Sequence, residues 1–261
     1  GSRYFGWQSQ THGNTVQDVL ETALAKIAGQ QVRLSCSGRT DAGVHGLGQV
    51  VHFDVETSRP LSAWVRGVNA HLPPTVAILW AKEVDTEFHA RFSATGRRYR
   101  YLLLNRPVRP ALGAGRMGWC HTPLDLDPMV AAAGHLLGEH DFSAFRAAEC
   151  QAKSPVKLLR ELVISRQNDV ITFDLAADAF LHHMVRNIVG ALVFVGKGRH
   201  PPSWMAELLA CRDRRRAPPT FSAAGLYFVG PEYDDHWRLP QSRLIMGASL
   251  QATDAPWPVL E

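Results

Sequence analysis

Three side chains in this 261-residue chain have the type and setting to do chemistry: Asp41, Tyr99 and Arg186. Asp41 lies in the glycine-rich stretch SGRTDAGVHGLGQ, between Arg39 and His45. A carboxylate there can act as nucleophile, general base or metal ligand on a loop carried by a rigid strand. The same T-D-A-G pattern is also ordinary turn chemistry, and locally the turn reading is the stronger. Arg186 sits in FLHHMVRNIVG, beside an apolar stripe of Leu181, Val185, Ile188 and Leu192. An arginine beside such a stripe either snorkels to solvent or meets a carboxylate brought in by the fold. Tyr99 lies on an alternating segment between basic residues. Its ring can stack on a base, or it can belong, with Tyr101 and Leu103, to the core.

The elements that must position these residues follow from periodicity and punctuation. Val16, Leu20, Leu24 and Ile27 recur at helical spacing, with Asn14 or Thr15 as cap and Gly29 as stop, so a helix is expected over 15–28. The 37–49 stretch reads as a loop feeding a strand in which Val51, Phe53 and Val55 alternate. A short helix at 61–70 and a strand at 76–81 follow. Strands are expected at 98–104, 159–165, 170–175 and 225–230. Helices are expected from Pro128 with Asp127 as cap, over 180–195, and after Ser203. His182 and His183, adjacent on that helix, should point about 100° apart.

Composition narrows the class. Apolar residues make up 46% and charged residues 20%, which fits a globular chain. The longest apolar stretch, 188–195, is too short to cross a bilayer, and the start GSRYFGWQ has no apolar signal region. The four cysteines are far apart with no C-x-x-C, against a zinc ribbon or a disulfide scaffold, and no H-E-x-x-H occurs, so no metal site is expected. Neither a G-x-x-x-x-G-K nor a G-x-G-x-x-G motif is present in a fitting context. Of 28 basic residues 23 are arginine, and between Arg91 and Arg116 seven arginines occur without an acid. Such a stripe suits a polyanion, nucleic acid above all. On these grounds alone the chain is a cytoplasmic, arginine-rich α+β protein with a candidate carboxylate–arginine site, and no reaction is specified.

The block SGRTDAGVHGLGQVVHF, with GSRYFGWQ, FHARFSATGRRYRYLL, HDFSAFRAAECQAK, FLHHMVRNIVGALVFVGKG and APPTFSAAGLYFVGPEYD in the same order, resembles the TruA-type tRNA pseudouridine synthases over nearly the whole chain. The resemblance implies an isomerase that needs no cofactor and converts uridine to pseudouridine at positions 38, 39 and 40 of the tRNA anticodon arm. It implies Asp41 as the essential nucleophile or acid/base, Arg186 as its catalytic partner, Tyr99 stacked on the target base, and Leu226 packed at the site. Arg39 would help flip the uridine out. Arg59, the stretch Phe88, His89, Ala90, Arg91 and Phe92, and the stretch Glu149, Cys150, Gln151, Ala152 and Lys153 resemble the family's tRNA-contacting segments. The implied fold is α+β: two similar α/β domains, 1–90 and 91–246, with mainly antiparallel sheets joined into one platform around a central basic cleft, and a tail over 247–261. The implied assembly is a homodimer in the cytoplasm with no membrane partner. In the family a first strand ending in an acidic-Gly turn precedes the GSRYFGWQ block, and a chain opening at Gly1-Ser2 is expected to lack it and to expose a strand edge.

Overall fold

A computed structural model describes residues 1–11 and 13–240. The fold is mixed α/β with mainly antiparallel pairing. The first helix, α1 (Val16–Ala28), forms as its spacing predicts: Thr15 caps it by accepting from Asp18 N, and Gly29 closes it in the left-handed conformation. Leu20, Ala23, Leu24 and Ala28 turn inward onto Trp7, Val32, Leu34, Trp64 and Val68, making a small core of their own. Strands β1 (Ser35–Cys36) and β3 (Val51–His52) pair antiparallel over this core, and β2 (His45–Gly46) lies between them in sequence.

Strand in this first part is sparser than alternation suggests. Phe53 and Val55 do pack on the core, but outside any ladder. The strand expected over 76–81 is absent: Ile78 N–H donates to Asn69 Oδ1 (2.7 Å), and Asn69 Nδ2 donates back to the Ile78 carbonyl (2.8 Å). One carboxamide thus satisfies the two backbone groups that a strand neighbour would have paired. The helix expected over 61–70 forms but widens into a π-helical stretch at Ala63–Gly67.

The second core is larger and is built on a seven-stranded sheet in the order β2-β9-β4-β8-β7-β6, with β5 (Gly118–Cys120) pairing β4. Its centre is β4 (Ala94–Asn105), flanked antiparallel by β8 (Val170–Ala177) and β9 (Leu226–Tyr233), with β7 (Val156–Gln167) and β6 (Gly138–Asp141) beyond. Tyr101, Leu103, Ile171 and Phe173 are fully buried beneath α2 (Leu126–Gly134) and α3 (Met184–Gly196), with α4 (Trp204–Cys211) alongside. The cap of α2 is Asp125, not Asp127. Pro128 therefore stands third in the helix, where its missing N–H still costs nothing. Ser203 occupies the cap position of α4 without making a cap bond.

Among the described residues, one strand pairing joins the sheet to the first part of the chain. Segment β2 pairs parallel with β9, His45 against Tyr227 and Gly46 against Phe228, and Leu47 N–H donates to the Phe228 carbonyl. The ladder β1–β3 remains a separate two-stranded sheet, so paired strand is distributed unequally between the first and second parts of the chain. The expected tail 247–261 and the end of the expected second domain lie outside the described residues.

Candidate active site

The loop carrying Asp41 is irregular, but both its ends are clamped. At its start, Ser37 N–H donates to the Val50 carbonyl, Ser37 Oγ donates to Gln49 Oε1 (2.7 Å), and Gln49 Nε2 donates to the Gly38 carbonyl (2.6 Å). At its centre, Trp7 N–H donates to the Thr40 carbonyl and Val44 N–H to the Asp41 carbonyl. Gly6 makes this approach possible. It has φ +92°, and a Cβ on it would stand 2.6 Å from the Thr40 oxygen.

Four side chains gather at the Asp41 carboxylate or beside it. Arg186, in the first turn of α3, places Nη1 3.5 Å from Oδ2 and donates from Nε to the Phe221 carbonyl (2.8 Å). His182 Nε2 lies 3.0 Å from Oδ1 and His183 Nε2 lies 3.2 Å from Oδ2. Tyr99, on β4, is close enough to feel the carboxylate's charge: burial first, and then Asp41, push its phenol well above the ordinary tyrosine range. The carboxylate is about a third exposed and Arg186 only 15%, so the arginine is committed to this site while the carboxylate remains reachable.

The two histidines correct the expected helix. Helix α3 begins at Met184, not Phe180, and His183 takes the left-handed conformation with φ 62°. Such a conformation costs about 1 kcal/mol or more in a non-glycine residue. Three bonds hold this turn: Ala147 N–H to the His182 carbonyl, His182 N–H to Cys150 Sγ, and Met184 N–H to the Leu181 carbonyl. Instead of diverging by a helical step, the adjacent rings lie 4.0 Å apart and both meet Asp41. Burial lowers the His183 imidazole below its ordinary range; Asp41 opposes this, and His182 and Arg186 add to it. Sequence reasoning missed both histidines as site residues, and their only signal was adjacency to Arg186.

Tyr99 is framed by two more unanticipated residues, Phe180 (5.0 Å, edge-on) and Phe228 (5.1 Å, tilted). A Cβ on Gly38 would touch the Phe228 ring at 3.7 Å, so the loop lies directly over this aromatic group. Leu226 is buried two residues before Phe228 on β9, opposite Tyr101 rather than Tyr99.

The expected tRNA-contacting residues divide by exposure. Arg39, Arg59, Arg91 and Phe92 are exposed, with Arg91 against the Phe92 ring and Arg59 reaching the Ile27 carbonyl. His89 is half-buried against Phe92 and His52. Phe88 and Ala90 are buried, Phe88 among Tyr233, Trp237 and His52, so neither side chain is open to a solute. Glu149, Gln151 and Lys153 are exposed, while Cys150 and Ala152 are half-buried and their carbonyls accept from Arg146. This stretch abuts the site through Cys150 and through Glu149, whose charge reaches His183.

The acid-free arginine run is less free than its sequence suggests. Arg98 pairs with Glu232 and Glu161, Arg100 with Asp174, and Arg106 approaches Asp169, each acid coming from a neighbouring strand or turn. Arg97 donates to the carbonyls of Asp178 and Arg91. Among the described residues, the run's arginines without an acidic partner beyond Arg97 are Arg91, Arg109 and Arg116.

A family model described as tRNA pseudouridine synthase matches residues 1–93 and 132–234, which include Asp41, His182, His183 and Arg186 but not the 94–131 segment that carries Tyr99. Curated relatives extend across that segment. A tRNA pseudouridine synthase A from Aromatoleum aromaticum is 62% identical over 247 residues, 94% of this chain and 94% of its own. Another from Dechloromonas aromatica is 60% identical over 240 residues, 92% of each chain. The chain belongs to the tRNA pseudouridine synthase family. It is an isomerase that converts uridine to pseudouridine in tRNA. Among the described residues no helix is long and apolar enough to cross a membrane.

Proposed function

We propose that this synthase acts at positions 38, 39 and 40 of the tRNA anticodon arm, with Asp41 as its essential carboxylate. The observation that carries the catalytic assignment is convergence: a reachable carboxylate fixed by a committed arginine, beside an aromatic ring framed by two more. In the isomerisation the bond from uracil N1 to sugar C1′ breaks, a bond from C5 to C1′ forms, and a proton leaves C5 while one arrives at N1. Cleavage makes the sugar carbon electron-poor. An ionised Asp41 stabilises that carbon or bonds to it, as carboxylates do in glycoside chemistry. Arg186 holds a positive charge 3.5 Å from Oδ2 and fixes the carboxylate's position. The Tyr99 ring offers a stacking face for a uracil taken out of its helix, and exposed Arg39, two residues before Asp41, is placed to help extrude it.

Exposed Arg59, Arg91, Phe92 and Lys153 belong to the surface that meets the arm, where cations contact phosphates and fix register. Residues 1–90 and 91–246 acting as two domains about a basic cleft, homodimerisation and a cytoplasmic location are part of this reading, supported by the family resemblance. Asp41→Asn tests its core. The variant is expected to bind tRNA as before and to lose pseudouridine formation by at least about a hundredfold. Undiminished activity overturns the assignment.

A further inference from the structure

Three residues that meet at the Asp41 carboxylate, two of them histidines, form a candidate metal-ligand set. Two imidazole Nε2 atoms lie 3.0 and 3.2 Å from the two oxygens of one carboxylate. A zinc-type ion stands about 2.0–2.2 Å from nitrogen and oxygen ligands. At tetrahedral to right angles about the ion, ligands at that range stand roughly 3.0–3.4 Å from each other. Each nitrogen's distance to its nearer carboxylate oxygen falls in this window, and the three ligand atoms close on one ion once the side chains turn to bring both nitrogens to one oxygen. Among the described residues, Asp41, His182 and His183 are the one such group of three, with ligand atoms all within 4.8 Å of one another. Their side chains are 25–37% exposed, which leaves an entry path from solvent.

We propose that Asp41, His182 and His183 form a binding site for a borderline transition-metal ion, of the Zn²⁺ or Co²⁺ class, and that the ion inhibits the enzyme by occupying its essential carboxylate. Imidazole nitrogen with one carboxylate suits this class rather than Mg²⁺ or Ca²⁺, which favour all-oxygen shells. Each imidazole binds through Nε2 with its proton carried on Nδ1, so the Nε2–H now facing Asp41 gives way to a lone pair. The left-handed turn at His183 makes this possible by bringing consecutive side chains to one point. Arg186 stays 3.5 Å from Oδ2 and competes with the ion for charge, so the site is reversible rather than structural. The inhibition rests on the catalytic reading of Asp41; the binding does not.

The test titrates Co²⁺ into the full chain and follows its visible absorption, then measures pseudouridine formation in tRNA at the same concentrations. Wild type is expected to take up one ion per chain and to lose activity in parallel, with recovery on adding a chelator. His182→Gln/His183→Gln is expected to weaken the absorption signal at least about tenfold. Absorption that is missing in wild type, or unchanged in the double variant (an adventitious ion only), overturns the site. Uptake that the double variant abolishes, with full activity in the metal-loaded wild type, keeps the site and overturns the inhibition together with the catalytic reading of Asp41.

Discussion

The Asp41 loop and the β4 strand hold the two halves of one site by opposite means. Strand β4 is paired on both sides over most of its length, and Tyr99 is fixed between Leu175 on β8 and Phe228 on β9. Its position follows from a ladder and a core in which Phe173, Tyr101 and Leu103 are fully buried. The loop has no ladder along 38–44 and no buried apolar face of its own beyond Val44. It is placed by single contacts: the Gln49 carboxamide, the Thr40 carbonyl accepting from Trp7, and a glycine at position 6. The aromatic half of the site is therefore as stable as the sheet, whereas the carboxylate half depends on a few bonds that can be removed singly. Damage to the sheet should lower stability and activity together; damage to the loop clamps should lower activity by more than the accompanying loss of stability accounts for.

The largest effect expected is on the sheet side. Phe173 is fully buried opposite Tyr101, and Phe173→Ala should cost about 3–5 kcal/mol of stability through lost burial and the cavity left behind. Chemical denaturation measures this, and activity should disappear over the same denaturant range as the fold. A loss of activity well before unfolding would show that the two sides are not separated as described. On the loop side, Gly6→Ala puts a methyl group 2.6 Å from the Thr40 oxygen at a left-handed φ. Backbone strain of this kind costs about 1–3 kcal/mol. Its relief must move Thr40 and Asp41, so kcat should fall severalfold more than the stability change predicts.

What was legible in the sequence divides along the same line. Helix α1 with its Thr15 and Gly29 caps, and the β7–β8 pair, are local patterns and form where spacing puts them. Of the two readings open for Arg186, solvent or a carboxylate brought in by the fold, the second is the one that forms: its partner is Asp41, 145 positions earlier. The histidines were not legible because hydropathy runs on through Phe180–His183, while the helix is stopped there by non-local bonds to Ala147 and Cys150. Phe180 and Phe228 fall in an expected helix and an expected strand, and nothing local marks them as the frame of Tyr99. The arginine run misled for a related reason: the acids that neutralise Arg98 and Arg100 lie on partner strands.

Gln49 sharpens the comparison because it clamps without being part of the site. Its carboxamide accepts from Ser37 Oγ and donates to the Gly38 carbonyl. Gln49→Ala removes two half-buried hydrogen bonds, worth together about 1–3 kcal/mol in stability at most. The loop should lose its register over Phe228, so kcat should fall while tRNA affinity, set by phosphate contacts, stays near wild type. An equal fall in both would mean that the loop bears on binding rather than on chemistry.

The smallest effect belongs to Glu232, where the sheet carries charge without using it for the site. Its carboxylate takes Arg98 Nε at 2.7 Å from β4, which already pairs with β9 through the backbone, and a close contact from Arg160 on β7, beyond β8. Burial alone would raise its pKa, but the hydrogen bonds and charges of Arg160 and Arg98 outweigh burial and bring it below the ordinary glutamate value of 4.5. A carboxyl lowered on folding adds stability above its unfolded pKa and loses that stability as pH falls through the folded value. Both arginines are more than a third exposed, so the contribution is held to about 1 kcal/mol or less. Glu232→Gln should therefore lower Tm slightly at neutral pH and flatten the decline of Tm below pH 4.5, with pseudouridine formation unchanged. If activity falls instead, charge on the outer face of β4 is transmitted to Tyr99, and the sheet is a less indifferent support than its ladder implies.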